Sequence, residues 1–281
     1  MSAMTQTENA TGAMSPYDTG FTVHEASLAD PRFSYSLYVP SSALKPGNET
    51  KLLVSIHGTG RQFENTLSSL AEFARWHDCI VLCPLFPAGV LGDRNIHGYK
   101  YIIENDIRYD LVLIAMVEEI ARRYGKDFSK FMLCGFSGGG HFVHRFLLLH
   151  PERLSACSIG APGSVTRIDP EKPWWVGTAD IHDLFGLSLD MEALQRVPVH
   201  MAVGSVDLET WEIVHRPQSR YFMAGANDAG RTRPERLAAL KASFEAAGIT
   251  CVMEEMRGIS HDERHYVQHV QEFFAQIMNG T

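Results

Sequence analysis

The chain has 281 residues, 45% of them hydrophobic, enough to bury a large core as one big domain or two small ones. Charged residues make up 21% and the net charge is −8, so there is no basic footprint for nucleic acid, and the acidic balance speaks to solubility more than to partners. Five cysteines (Cys79, Cys83, Cys134, Cys157 and Cys251) are odd in number and lie mostly in apolar runs, which excludes a disulfide framework and a zinc pattern and points to a reducing compartment.

Met1 to Gly20 is polar and rich in small residues, with neither the basic start nor the apolar stretch of a secretory signal. It reads as a flexible arm, followed by a single domain over 21–281. No apolar run reaches the length of a membrane span, so no membrane contact is expected and the protein is read as cytoplasmic. Phe21–Glu25 and Phe33–Val39 have aromatic and β-branched character, with a turn at Asp30-Pro31, and predict an antiparallel pair at a sheet edge. Lys51 to His57 is almost continuously apolar, as in a strand covered on both faces, and ends in His57-Gly58-Thr59-Gly60-Arg61. A helix is predicted over Asn65–Trp76, a buried strand over Cys79–Leu85, and a polar and aromatic loop over Phe86–Glu104. Helical periodicity then runs from Asp106 to Tyr124, closed by Gly125 as its C-cap.

The next stretch organises the chain. The apolar run Phe131–Cys134 leads into Gly135-Phe136-Ser137-Gly138-Gly139, and a helix is predicted from His141 to His150, stopped by Pro151. Strand, sharp glycine-flanked turn with a central serine, then helix is the context of a nucleophile elbow. Downstream come strands at Leu154–Ile159, Val197–Gly204 and Ile249–Met256, with helices at Pro234–Ala247 and Glu263–Met278. Segments 164–196 and 205–231 have no strong period and read as cap-like insertions over the carboxyl edge of the sheet. Buried strands alternating with amphipathic helices predict an α/β fold: a mostly parallel central sheet with helices on both faces. Ligands bind such sheets at the carboxyl ends of the strands.

A serine nucleophile needs a base to take its proton and an acid to orient that base. His261 directly follows the last strand; His265 and His269 repeat its spacing of four, but read as surface positions on the helix. Asp207 stands just past the strand that begins at Val197, whereas Asp180, Asp183 and Asp190 lie in the irregular insertion. The order Ser137, Asp207, His261 is that of an α/β-hydrolase. The amide of Gly138 is one expected donor to a tetrahedral oxyanion. The loop after the strand ending at His57 should supply the other, assigned to Thr59 with Gly58 and Gly60 as alternatives. His57 itself reads as structural.

With Gly135-Phe-Ser-Gly-Gly139 following Tyr124-Gly125-x-Asp127, and a His-Gly-Thr-Gly loop upstream, the chain from Lys51 onward resembles the α/β-hydrolases, and within them the esterase D, feruloyl esterase and polyhydroxybutyrate-depolymerase-like group. The resemblance implies Ser137, Asp207 and His261 as a catalytic triad, and Gly138 with Thr59 as the oxyanion hole. It implies hydrolysis of a carboxylic ester, lactone or thioester of a small molecule through an acyl-enzyme, with no metal or organic cofactor. An amide substrate, transfer to another acceptor, or a non-catalytic binding role are the alternatives. Such enzymes are commonly homodimers, although no exposed apolar helix marks a dimer face here. Among residues that would bind substrate, Arg61 and Arg216 are candidates for a carboxylate, and Trp175 and Trp211 for the wall of an acyl or aromatic pocket.

Overall fold

The computed structural model describes residues 15–280. Of the arm expected over Met1–Gly20, residues 1–14 lie outside the described ones. From Ser15 the chain is tied down: a 3-10 turn at Pro16–Asp18 is capped by the Ser15 hydroxyl, Arg123 ion-pairs with Asp18 and Glu25, and the Tyr124 hydroxyl donates to the Asp18 carbonyl at 3.0 Å.

The elements follow in the order β1 (Gly20–Phe21), β2 (Glu25–Ala26), β3 (Ser34–Val39), β4 (Lys51–Ile56), α1 (Phe63–Trp76), β5 (Cys79–Leu85), β6 (Ile103–Glu104), β7 (Ile107–Arg108), α2 (Tyr109–Tyr124), β8 (Phe131–Phe136) and α3 (Gly138–Leu149). Then come β9 (Leu154–Gly160), α4 (Ile181–Phe185), α5 (Met191–Arg196), β10 (Val199–Gly204), α6 (Arg233–Ala246), β11 (Cys251–Met256) and α7 (Glu263–Asn279). Nine strands form one sheet in the order β1-β3-β5-β4-β8-β9-β10-β11, with β2 also on β3. Every pairing from β5 to β11 is parallel; β1, β2 and β3 make the antiparallel edge.

The central strands are mostly apolar because both faces are covered, β8 and β10 being buried at every position, whereas the edge strand β11 carries Glu254 and Glu255 and is half exposed. Helices α1 and α7 pack on each other, α1 also on β3, β4 and β5 and α7 on β8, β9 and β10. Helix α3 packs on β4, β8 and β9, and α6 on β10 and β11. All five cysteines are free and buried in this core. Among the described residues no helix is long and apolar enough to cross a membrane.

Two local differences from the sequence reading have clear causes. Residues 103–108, read as loop and helix start, form the β6–β7 hairpin, with Asn105 in the left-handed conformation its turn needs (φ 53°), so α2 begins only at Tyr109. Helix α3 begins at Gly138 rather than His141; three consecutive glycines, poor helix formers, mask its first turn.

The order of strands fixes where a site can form. From β4 the chain steps to β5 on one side; from β8 it proceeds through β9, β10 and β11 on the other. The reversal falls between β4 and β8, whose ends are in register, Ile56 opposite Gly135. The loops that follow them therefore open side by side at the carboxyl edge.

Candidate active site

Ser137 stands at that reversal with φ 54° and ψ −112°, a conformation disfavoured for any side-chain-bearing residue and costing about 1–3 kcal/mol. Neighbours without side chains make the turn possible. A Cβ on Gly139 would lie 2.1 Å from the Ile56 carbonyl oxygen, and one on Gly135 2.7 Å from the Gly139 backbone. The Ser137 amide donates to Gly160 O on β9 at 2.9 Å, locking the turn to the sheet.

The β10 and β11 loops meet beside it. Gly204 ends β10 so close to the other loop that a Cβ would lie 2.2 Å from Ile259 O and 2.4 Å from Ser260 O. Ser205 N donates to Met256 O and Val206 N to Ile259 O, both at 3.0 Å, and Gly258 N donates to the Ser205 hydroxyl at 2.8 Å. These ties bring Asp207 Oδ2 to 2.6 Å from His261 Nδ1. The carboxylate is fully buried, and its other oxygen accepts from the Arg233 guanidinium at 2.9 Å. The same guanidinium reaches Glu212 Oε2 at 2.8 Å. Phe136, next to the serine, packs against the His261 ring at 4.6 Å between centroids, tilted by 34°, and both residues line one cavity with Ser137. His265 and His269 turn elsewhere: the first sits 3.5 Å from Asp262, the second hydrogen-bonds Glu254. The competing aspartates serve the backbone, Asp180 accepting from Trp174 N at 2.6 Å and Asp190 capping α5 through Ala193 N at 2.9 Å.

On the β4 side, a Cβ on Gly138 would lie 2.9 Å from Thr59 N, so the two amides expected to face an oxyanion are neighbours. His57 holds that loop. Its Nδ1 donates to Gly58 O at 2.8 Å and its Nε2 accepts from Phe86 N at 3.0 Å, which fixes the neutral ring; burial pushes it down to about 3.

Two cavities meet at Thr59, Ser137 and Glu212. One, of about 510 Å³, runs over His261 and the start of α7; the other, of about 480 Å³, runs under the segment after β10 and is lined by Lys100, Tyr101, His141, His215 and Tyr221. Of the expected substrate contacts, Trp211 lines this second cavity, at its rim, and is 71% exposed. The other three do not line either one. Arg61 spends its guanidinium on the carbonyls of Thr59, Phe86 and Ile96, at 2.5, 3.2 and 2.9 Å, and stacks over Tyr99. Trp175 is buried behind Tyr101, its indole N–H donating to Tyr221 O at 3.1 Å. Arg216 is exposed, with its amide on the Ser219 hydroxyl. What the sequence reading missed is Arg233 and Lys100. Arg233 reads as part of a helix start after Thr232 and before Pro234; Lys100 sits in a loop with no period. Neither carries a local signal.

No protein-family model matches the chain, and no curated protein matches it. Solved structures do. A poly(aspartic acid) hydrolase from Sphingomonas sp. KT-1 superposes with a TM-score of 0.69 at 20% identity, over 85% of this chain and 92% of its own. A poly(3-hydroxybutyrate) depolymerase from Bordetella parapertussis gives 0.68 at 19%, over 86% and 85%. An S-formylglutathione hydrolase from Agrobacterium tumefaciens gives 0.55 at 16%, over 88% and 89%. At such identities the likeness establishes the fold, which is that of the α/β-hydrolases.

Proposed function

We propose that the chain is a serine hydrolase of carboxylic esters that works through an acyl-enzyme on Ser137. The observation that carries this reading is the hydrogen bond from His261 to the buried Asp207 carboxylate, with His261 lining the same cavity as a strained serine at the head of a helix. His261 takes the serine proton as the hydroxyl attacks the carbonyl. Asp207, bonded to Nδ1, holds the imidazole in the tautomer whose Nε2 accepts that proton, and stabilises the imidazolium that forms. The amides of Gly138 and Thr59 face the developing oxyanion, each such donor being worth about 3–4 kcal/mol. His261 then protonates the leaving group and activates water for the second half-reaction. The names of two of the fold neighbours, a poly(3-hydroxybutyrate) depolymerase and an S-formylglutathione hydrolase, support an ester or thioester, and that of the poly(aspartic acid) hydrolase keeps an amide as the alternative.

A fluorophosphonate probe and a panel of neutral 4-methylumbelliferyl esters test the reading together. The expected results are an adduct on Ser137, turnover of short-chain esters, and loss of at least about 10⁴-fold in kcat on Ser137→Ala. Folded protein with no adduct, or activity that survives Ser137→Ala, refutes it.

A further inference from the structure

Three buried cations and the partly buried Arg61 cluster under and around the 480 Å³ cavity, none hydrogen-bonded to a carboxylate among the described residues. Arg145, fully buried, gives its guanidinium to the Lys100 carbonyl and the hydroxyls of Thr166 and Ser164. Arg236, 1% exposed, gives its own to the carbonyls of Gly163, Ile213 and Gly230 and to the Asn227 side chain. Arg61 bonds only carbonyls. Lys100 is 6% exposed, and its ammonium has a single hydrogen-bond partner among the described residues, His97 Nδ1 at 2.9 Å. Buried charges are ordinarily paired, because desolvating them alone is costly.

Lys100 is the member of this group that lines the cavity, and it does so beside the serine. Its Cε lies 3.1 Å from the place where a Cβ on Gly138 would stand. Among the described residues the cavity wall carries one carboxylate, Glu212, already held by Arg233, against Lys100, Arg220 and Arg233. Arg220, at the rim, pairs with Asp93 and approaches Glu104 at 3.4 Å. His141 adds a buried donor with no acceptor. Its Nε2 accepts from Ser164 N at 2.8 Å, so its proton is on Nδ1, which has no partner. The wall thus presents three cations and an unpartnered His141 Nδ1 against one carboxylate that is already paired.

We propose that this cavity takes the acyl part of the substrate and that this part carries a carboxylate, as in a half-ester of a short dicarboxylic acid, with Lys100 as the residue that recognises it. The assignment of this part as acyl rests on the hydrolase reading above; the anion site itself does not. Burial, then the charges of Arg61, Arg233 and Arg145 against the opposing pull of Glu212, bring the Lys100 ammonium down to about 7. A bound carboxylate reverses that shift and supplies the missing partner.

The test sets 4-methylumbelliferyl hydrogen succinate, glutarate and adipate against the butanoate, pentanoate and hexanoate of matching length, with enzyme-free blanks subtracted. At least one half-ester should exceed its neutral match in kcat/KM by about tenfold or more, the worth of one charge-assisted hydrogen bond. Lys100→Met should lower that ratio by a similar factor, and Lys100→Arg should keep part of it. Free succinate, glutarate or adipate should compete with substrate on the wild-type protein, a readout that does not depend on any variant folding. Turnover of neutral esters through Ser137, with no half-ester preferred and no competition by the diacids, overturns the inference and leaves the hydrolase reading intact. If no ester is turned over and Ser137 takes no fluorophosphonate, the hydrolase reading fails instead. Calorimetry with glutarate then decides the anion site: binding weakened by Lys100→Met sustains it, and no binding overturns it.

Discussion

Arg233 grips the oxygen of Asp207 that faces away from His261, at 2.9 Å, so the buried carboxylate is held at one oxygen by the start of α6 and at the other by the loop after β11. Arg233→Met leaves a carboxylate that is fully buried with the imidazole as its remaining partner. Breaking such a pair costs about 3–5 kcal/mol when one charge is left behind, somewhat less here because Glu212, the second partner, is half exposed. Thermal unfolding should show the loss, and steady-state kinetics should show kcat falling more than KM rises. Arg233→Lys, which keeps the charge and loses the fork, should recover part of both. Unchanged unfolding and kcat in Arg233→Met would remove Arg233 from the site.

Arg61 separates a substrate contact from a positioning role. Its three carbonyl bonds tie the Thr59 loop to residues 86 and 96, so Arg61→Met should loosen the amide of Thr59 rather than a substrate carboxylate. The expected loss in kcat is about tenfold, the same on charged and neutral esters. A loss confined to half-esters, through KM, would return Arg61 to substrate binding.

Gly204→Ala places a methyl against the backbone of Ile259 and Ser260, which no rotamer change relieves. Since this approach is what holds the Asp207 and His261 loops together, the variant should lose both stability and activity, with overpacking costing about 1–3 kcal/mol. A crystal structure or chemical shifts of the His261 ring should show Nδ1 displaced from Asp207. Wild-type activity in Gly204→Ala would sink this account of how the two loops are held.

Lys100 links recognition to stability and pH. Its folded value, about 7, lies below that of an unfolded lysine, about 10.4. Between those values the unfolded chain binds the extra proton, so this group makes stability rise with pH; below about 7 its burial cost is felt in full. Lys100→Met should therefore raise Tm, more at pH 6 than at pH 9. The other groups around it are His97 on its own turn, Arg61 after β4, His141 and Arg145 on α3, Glu212 and His215 after β10, and Arg233 on α6; all remain in the variant. Differential scanning at the two pH values reads the difference. A Tm that falls in Lys100→Met at both would mean that the lysine is paired in the folded protein after all.

How much of this could be read from the sequence follows from how local each signal is. Strands such as Cys79–Leu85 are covered on both faces, so their apolar runs announce themselves without regard to neighbours. Strand ends are equally legible, which is why Ser137, Asp207 and His261 stand out in the sequence at the carboxyl edge. The direction of a side chain is not legible. By its place after the donor loop Arg61 suggests a substrate carboxylate, yet two of its partners lie 25 and 35 residues further on, at Phe86 and Ile96. Trp175 likewise reads as pocket wall in the sequence, although it packs behind Tyr101 and donates to the Tyr221 carbonyl. Arg233 and Lys100 show the converse. Each becomes notable only when distant loops bury it, and each looks like an ordinary surface charge in the string. The hairpin at Ile103–Arg108 straddles the boundary between the expected loop and the expected helix, where Ile107 also satisfies the helical period, so neither half carries a strand signal of its own.

The two cavities touch only along Thr59, Ser137 and Glu212, so they act as separate rooms with the serine in the doorway. On the proposed chemistry the acyl chain stays in the cationic room while the alcohol departs through the one that His261 lines. Water must come in by that same route, and only after the alcohol has gone. The sequence of departures is then ordered, alcohol before acid, and free alcohol becomes a competitor for the acyl-enzyme. Added methanol should divert part of the product into methyl ester, in proportion to its concentration, while excess diacid should obstruct the first step and leave the second untouched.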